Sequence, residues 1–203
     1  MIADPQTENL LLVGAVPFAV AALPPDIASL TKIAVDGGIA AAPDALLWIG
    51  DGDSGCRPRD MPAGFKEDQS KTDLAYALDI IRSWAWRELY LAGFWGGRFD
   101  HALAVLGTLQ TEMKQRPHTR RLTLYNPLGD VGAVMLPAGV HDFSIEGDFS
   151  ILCLEPVVIS LSGAVAYAAE DLPLAPLSGR GISNKGHGGA HLQTDGPVLV
   201  VFP

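Results

Sequence analysis

Residues 32–53 read KIAVDGGIAAAPDALLWIGDGD. Two short apolar runs, Lys32–Val35 and Leu46–Ile49, lie in this stretch, and aspartate and glycine follow each of them closely. Apolar runs of this length predict strands that are buried on both faces, as in a parallel sheet. The stretch therefore predicts two strands of a parallel sheet, each followed by an acidic, glycine-containing turn.

The sequence on either side extends this pattern. Leu10–Val16 and Glu88–Ala92 predict two further buried strands. Helical spacing of apolar residues predicts one helix over Thr72–Trp86 and another from about residue 99 to residue 114. Strands that alternate with helices predict a mostly parallel, doubly wound α/β sheet, which we place in an N-terminal domain of residues 1–125.

The remainder of the chain has a different sequence pattern, in which turn signals such as Asn126-Pro127-Leu128-Gly129 separate short apolar runs. This spacing predicts an all-β unit, so residues 126–203 are predicted to form a C-terminal β-sandwich domain. The runs are Leu122–Tyr125, Gly132–Leu136, Asp142–Ile145, Ser150–Leu154, Val157–Leu161, Ala164–Ala168, Ala190–Gln193 and Val198–Phe202.

Composition limits the classes of function. The chain has 203 residues, 48% of them hydrophobic, and a net charge of −9, which disfavours a general nucleic-acid binder because it would need a basic face. The apolar stretch Leu10–Leu23 is too short to span a membrane, and acidic residues precede it. Two isolated thiols, Cys56 and Cys153, are typical of a reducing compartment. We therefore expect a soluble, cytoplasmic protein.

Acidic residues follow the second and third predicted strands. Asp51 and Asp53 are two residues apart, so both carboxylates could reach one hard cation such as Mg²⁺. Asp36-Gly37-Gly38 could offer bare backbone amides to an anion at a helix start. A surface turn with solvated carboxylates explains Asp51 and Asp53 equally well, and a simple strand-to-helix turn is the favoured explanation of Asp36-Gly37-Gly38 when it is taken alone.

A basic turn follows the strand that ends at Ala92. Arg98, in Gly96-Gly97-Arg98, offers a planar fork that suits phosphate, and Asp100 could orient that fork or bind a substrate hydroxyl. A surface ion pair of little energetic value is the alternative. Thr72 is predicted to cap the helix that follows it, and Asp73 would then stabilise the helix dipole.

Four motifs occur in one order along the chain: V-D-G-G, G-D-x-D-S, D-Q-x-x-T-D-x-x-x-A-L and G-G-R-x-D-H. Ser183-Asn184 follows them in the β-rich part. In this combination the chain resembles the thiamine pyrophosphokinase (thiamine diphosphokinase) family over nearly its whole length. The second and fourth motifs are the most diagnostic.

The resemblance implies transfer of the pyrophosphoryl group of ATP to thiamine, with Mg²⁺, in a homodimer whose sites lie between the subunits. It also implies an N-terminal α/β domain and a C-terminal β-sandwich. The residues that it assigns are Asp51, Asp53 and Asp73 to Mg²⁺, Asp36, Gly37, Gly38, Gly97 and Arg98 to ATP, Gln69, Ser183 and Asn184 to thiamine, and Asp73, Asp100 and Arg98 to the transfer itself.

One departure from the family pattern bears on function, because Ser70 replaces the middle aspartate that the family often carries. Two alternatives therefore remain beside a thiamine diphosphokinase. The acceptor could be another small alcohol, such as a hydroxymethylpterin, for which the segment Gly179–Gly189 is the discriminating feature. The chain could also be a non-catalytic homologue that binds a nucleotide or thiamine.

Overall fold

A computed structural model describes residues 4–53, 60–67 and 69–203. Ser54 and Asp68 of the motifs above, and Cys56, lie outside the described residues. The α-helices are α1 (Pro25–Ala28), α2 (Asp73–Ile81) and α3 (Phe99–Gln115). The strands are β1 (Asn9–Val13), β2 (Lys32–Val35), β3 (Leu47–Gly50), β4 (Ala63–Phe65), β5 (Glu88–Ala92), β6 (Arg121–Tyr125), β7 (Val131–Leu136), β8 (Gly139–Leu152), β9 (Val157–Val165), β10 (Ala169–Leu174), β11 (Asn184–Thr194) and β12 (Val198–Val201).

The first of two compact units contains the described residues of Met1–Thr108 and Leu122–Val131. Within it, β1 pairs in parallel with β2 and β5, β2 with β3, and β3 with β4. Val13 lies opposite Ala34 and Ala92 in this register. The central strands are apolar and fully buried on both faces, as parallel strands are. Their carboxyl ends consequently meet at one edge of the sheet.

The predicted doubly wound α/β domain is wrong. The strands of the first unit instead lie in the order β6-β5-β1-β2-β3-β4, and those of the second unit in the order β10-β9-β11-β8-β12-β7. A doubly wound fold needs a helix in most crossovers, but α2 and α3 are the only α-helices longer than four residues in the described ranges. The crossover from β2 to β3 contains a 3-10 helix at Asp36–Ala40, since two glycines and Pro43 disfavour an α-helix there.

Helix α2 is shorter than predicted, although its start is confirmed. The Thr72 hydroxyl accepts a hydrogen bond from the Ala75 amide at 3.1 Å, which makes Thr72 the N-cap. At the other end, the Trp84 amide and the Trp86 indole N–H both donate to the Ile81 carbonyl. These bonds terminate the helix near Ile81 rather than at Trp86.

The second compact unit contains Leu109–Arg121 and Gly132–Pro203. The runs predicted as two strands around Asp142 and Ser150 belong to the single fourteen-residue strand β8. This strand pairs with β11 over Gly139–Phe149 and with β12 over Ser150–Leu152, so it carries pairing continuously from one partner to the next. In place of the predicted separate β-sandwich, the strands of this unit therefore pair as one continuous antiparallel series, β10-β9-β11-β8-β12-β7.

The division into an ATP-binding domain of residues 1–125 and a thiamine-binding domain of residues 126–203 stays a prediction. Cys153 in the second unit is a free, buried thiol. None of the helices in the described ranges has the length and apolar character needed to cross a membrane.

Candidate functional site

Three carboxylates converge at the carboxyl edge of the parallel strands. Asp36 directly follows β2, and Asp51 directly follows β3, which is the neighbouring strand. One carboxylate oxygen from each of Asp36, Asp51 and Asp53 lies within 4.8 Å of the others. Such a set of hard oxygen donors can surround one small divalent cation.

The backbone beneath this acidic cluster (Asp36, Asp51 and Asp53) is closely packed. Asp36 has a left-handed φ of 50°, a conformation that aspartate tolerates better than most residues. The indole N–H of fully buried Trp48 donates to the Asp36 carbonyl at 2.9 Å. A Cβ atom on Gly50 would lie 2.8 Å from the Trp48 ring and 3.2 Å from the Asp36 Cα. Glycine at position 50 therefore permits the approach of Asp36 to β3.

Hydrogen bonds orient Asp51 within the acidic cluster. The Asp53 amide donates to Asp51 Oδ1 at 3.0 Å, and the Gln69 side-chain amide donates to Oδ2 at 3.2 Å. These bonds lower the pKa of Asp51, with the Asp53 amide as the largest cause. The Asp51 carboxylate itself raises the pKa of Asp53, and repulsion from Asp36 and Asp73 adds to the effect. The raised pKa of Asp53 thus reflects the negative charge of its neighbours, which a bound cation would offset.

Asp73 is not part of the acidic cluster, although the resemblance assigns it to the metal. Its Oδ1 atom lies 3.2 Å from the Lys66 ammonium, which also lies 3.7 Å from Asp51 Oδ2. The role of Asp73 as a metal ligand stays a prediction, while Asp36, assigned to ATP, joins Asp51 and Asp53. Sequence reasoning missed Lys66, because a single lysine after a short strand has no distinguishing pattern.

A cavity of about 550 Å³ opens beside the acidic cluster in the first unit. Asp36, Asp73 and Arg98 place charged groups on its wall, and Gly97 contributes backbone. Apolar side chains supply much of the remaining surface, which is typical of a small-molecule site with a few polar anchors. They include Val16, Pro17, Leu74, Phe94, Ala104 and Val105.

The two glycines after Asp36 differ in their surroundings. A Cβ atom on Gly38 would lie 1.9 Å from the Val13 carbonyl oxygen, so the turn packs directly on the end of β1. A Cβ atom on Gly37 would meet only Ala15, with the Ala15 Cβ atom nearest at 3.2 Å. Gly38 is thus required by packing, and the assignment of both glycines to ATP stays a prediction.

Arg98 and Asp100 form a two-pronged ion pair at the start of α3. Arg98 Nε and Nη2 donate to the two oxygens of Asp100 at 3.1 and 2.6 Å, and the His101 amide also donates to Oδ1. Their side chains are 72% and 63% exposed, so the pair adds little to folding stability. It does hold the guanidinium in one orientation. The Arg98 hydrogen bond lowers the pKa of Asp100 to about 2.

We expect Asp100 to remain ionised until the pH falls to about 2, as followed by NMR titration of its carboxyl carbon. Because the pKa is lowered in the folded protein, the ion pair is present above the ordinary carboxyl pKa and is lost as pH falls through about 2. In Arg98→Met the midpoint should return towards the ordinary value of 3.8. An unchanged midpoint in that variant would assign the low pKa to another cause.

The residues that the resemblance assigns to thiamine belong to different units. Gln69 lies in the first unit, whereas Ser183 and Asn184 lie in the second. The Asn184 side chain accepts from the Tyr167 and Lys185 amides and donates to the Tyr167 carbonyl, so it fixes the backbone next to exposed Tyr167. A shared role of these three residues in binding thiamine stays a prediction.

No family model matches the sequence, and no curated protein matches it significantly. Solved structures do match. Thiamine pyrophosphokinase from Bacillus subtilis superposes with a TM-score of 0.76 at 19% identity, covering 95% of this chain and 97% of that one. Thiamin pyrophosphokinase from Geobacillus thermodenitrificans gives 0.70 at 18% identity, with 95% and 96% covered. Thiamin pyrophosphokinase from Candida albicans gives 0.71 at 14% identity, with 95% and 88% covered. The chain therefore has the fold of thiamine pyrophosphokinases, and the resemblance inferred from its motifs is confirmed at the level of the fold.

Proposed function

We propose that this chain is a Mg²⁺-dependent thiamine diphosphokinase, a transferase that converts ATP and thiamine into AMP and thiamine diphosphate. The observation that carries the proposal is the convergence of the Asp36, Asp51 and Asp53 carboxylates at the edge of the parallel strands. The cavity beside them and the fold support the same function, because they join a cation site to a pocket for small molecules.

The acidic cluster fits Mg²⁺ in its donor chemistry. Carboxylate oxygens are the protein ligands that this ion prefers, and water and phosphate oxygens complete its coordination. The raised pKa of Asp53 is further support, since it shows that negative charge is crowded at this point. Asp36, Asp51 and Asp53 would hold the ion. Asp73, which the resemblance also assigns to Mg²⁺, lies outside this cluster and pairs with Lys66. A bound Mg²⁺ would neutralise charge on the polyphosphate.

Arg98 is the residue that we assign to binding the phosphates. Arg98 is among the residues that line the cavity, and Asp100 already orients its guanidinium, so its donors need little reorganisation when an anion arrives. In the transfer, the thiamine hydroxyl oxygen bonds to the β-phosphorus of ATP. The bond from that phosphorus to the α–β bridging oxygen breaks, and AMP leaves with the bonding electron pair. Arg98 offsets the negative charge that develops on these oxygens.

The hydroxyl proton needs an acceptor, and Asp73 and Asp100 are the two candidates. Asp100 is a weak base, with a pKa of about 2, and both of its oxygens are already engaged by Arg98. Asp73 lines the cavity, and its single close cation is Lys66 among the described contacts. We therefore assign proton acceptance to Asp73, where an aspartate within hydrogen-bond reach of the hydroxyl suffices.

The direct test is to incubate the purified protein with ATP, Mg²⁺ and thiamine and to separate the products by chromatography. Equal amounts of AMP and thiamine diphosphate are expected. ADP as the product would contradict pyrophosphoryl transfer. AMP formed with a hydroxymethylpterin but not with thiamine would change the acceptor. Stabilisation against heat by ATP or thiamine, without any AMP, would identify a binding protein instead.

Arg98→Lys is expected to lower kcat by about 10²-fold, because lysine keeps the charge but loses the planar fork. The measurement is AMP release at saturating ATP and thiamine. Arg82→Lys is the matched control, since Arg82 is an exposed arginine that pairs with Asp79 on α2, and we expect its kcat to stay within twofold of wild type. Equal activity of Arg98→Lys and wild type would remove Arg98 from the transfer step.

We also propose that the protein is a homodimer whose sites lie between its subunits. Gln69 and the pair Ser183-Asn184 would then contact thiamine from two subunits. Sedimentation equilibrium should give twice the chain mass of 21.5 kDa. A monomer with full activity would contradict an intersubunit site.

A further inference from the structure

Lys66 is a buried lysine at the edge of the candidate site, with only 4% of its surface exposed. Its ammonium group lies 3.2 Å from Asp73 Oδ1 and 3.7 Å from Asp51 Oδ2. It also donates to the Lys71 carbonyl at 3.1 Å. A charge at this depth requires partners, and removing one of them is costly. All three partners belong to segments that build the site.

The pairing of β4 with β3 fixes the position of the Lys66 backbone. Lys66 follows β4, which pairs with β3, and its amide donates to the Gly50 carbonyl at 2.9 Å. Gly50 immediately precedes Asp51. The Lys66 side chain therefore starts from the strand end that carries Asp51 and reaches across to Asp73 at the start of α2.

We propose that Lys66 is a positioning residue that acts as an internal cation, holding Asp73 in an ion pair and orienting Asp51 at the edge of the acidic cluster. This inference rests on the proposed function. Lys66 would keep Asp73 directed along the cavity wall and outside the acidic cluster, where its carboxylate can receive the hydroxyl proton. Its positive charge would at the same time limit how tightly a divalent cation binds.

Two effects with opposite signs follow from this arrangement. Replacing the ammonium with an uncharged side chain of similar length removes repulsion towards a divalent cation, so cation affinity should rise. It also releases Asp73 and one oxygen of Asp51 from their fixed partner, so transfer should slow. A residue that merely stabilised the fold would lower both quantities together, or neither.

The test is Lys66→Met, with Mn²⁺ binding measured by titration calorimetry without nucleotide, and kcat measured with ATP, Mg²⁺ and thiamine. We expect Mn²⁺ affinity to rise about tenfold and kcat to fall about 10–100-fold. Lys71→Met is the matched control, because Lys71 is about half exposed and pairs with Asp79, and its Mn²⁺ affinity should change by less than about twofold. Unchanged or weaker Mn²⁺ binding in Lys66→Met would overturn the proposal.

A double variant keeps the test decisive if Lys66→Met folds poorly, since that change leaves the buried Oδ1 atom of Asp73 without its cation. Lys66→Met with Asp73→Asn removes both charges, so the thermal midpoint and Mn²⁺ affinity should return close to wild-type values. An affinity that stays as high as in Lys66→Met would show that Asp73 is not the relevant partner. Because Mn²⁺ binding needs no turnover, the binding measurements still test the role of Lys66 if the wild-type protein does not transfer a pyrophosphoryl group to thiamine.

Discussion

Asp53→Ala is expected to reduce AMP formation from ATP and thiamine to background, a loss of at least about 10³-fold. Asp53 is one of the three carboxylates whose oxygens converge within 4.8 Å, and alanine leaves Asp36 and Asp51 without the third donor. Mn²⁺ binding, measured without nucleotide by calorimetry, should be lost in parallel. Stability should change little, because Asp53 is exposed and its amide, which alanine retains, makes the bond to Asp51.

Asp44→Asn is the matched control for this experiment. Asp44 is an exposed aspartate that pairs with Lys32 at 2.9 Å, and Lys32 is at the amino end of β2, opposite the site. Its replacement should leave both AMP formation and Mn²⁺ affinity within twofold of wild type. Normal turnover by Asp53→Ala would contradict the cation site at the acidic cluster and, with it, the proposed mechanism.

Gly38→Ala is expected to destabilise the protein by about 3 kcal/mol or more. The added methyl group would lie 1.9 Å from the Val13 oxygen and 2.6 Å from its carbonyl carbon, both of which are backbone atoms that cannot rotate away. The end of β1 or the turn after β2 must therefore move. Urea unfolding followed by circular dichroism should show a lower midpoint, and the variant should accumulate poorly in its folded form.

Gly37→Ala is the neighbouring control, because its methyl group would meet only Ala15, and the nearest atom, at 3.2 Å, is the Ala15 Cβ. We expect this variant to lose less than about 1 kcal/mol, as small overpacking does when the neighbour can yield. Equal destabilisation by the two substitutions would mean that general loss of glycine flexibility, and not the contact with Val13, limits this turn.

The elements that the sequence predicts well are those with strong local signals. Both ends of strands β2 and β5 are confirmed, because short apolar runs bounded by polar residues are sufficient to define buried strands. Helix α3 begins at the predicted Phe99 and ends one residue beyond the predicted end. Asp51 and Asp53 come together as their spacing predicts, since both follow the same strand end.

The features that the sequence does not predict depend on contacts between distant segments. The sequence predicts two strands separated by a polar segment, but continuous pairing with β11 and then β12 makes them one strand, β8. Asp36 joins the acidic cluster because β2 and β3 are neighbours, which no local pattern reveals. The role of Lys66 has no local signal, because its partners Asp51 and Asp73 lie on other segments of the chain.

The Trp48 indole links the acidic edge to the hydrophobic interior, because its ring is fully buried and its N–H donates to the Asp36 carbonyl. A gain or loss of order in the core is thereby transmitted to the backbone that presents the first carboxylate. On heating, we therefore expect the protein to keep its affinity for cations for as long as it stays folded. Cation binding and the tertiary structure around Trp48 in the first unit should be lost in one cooperative transition.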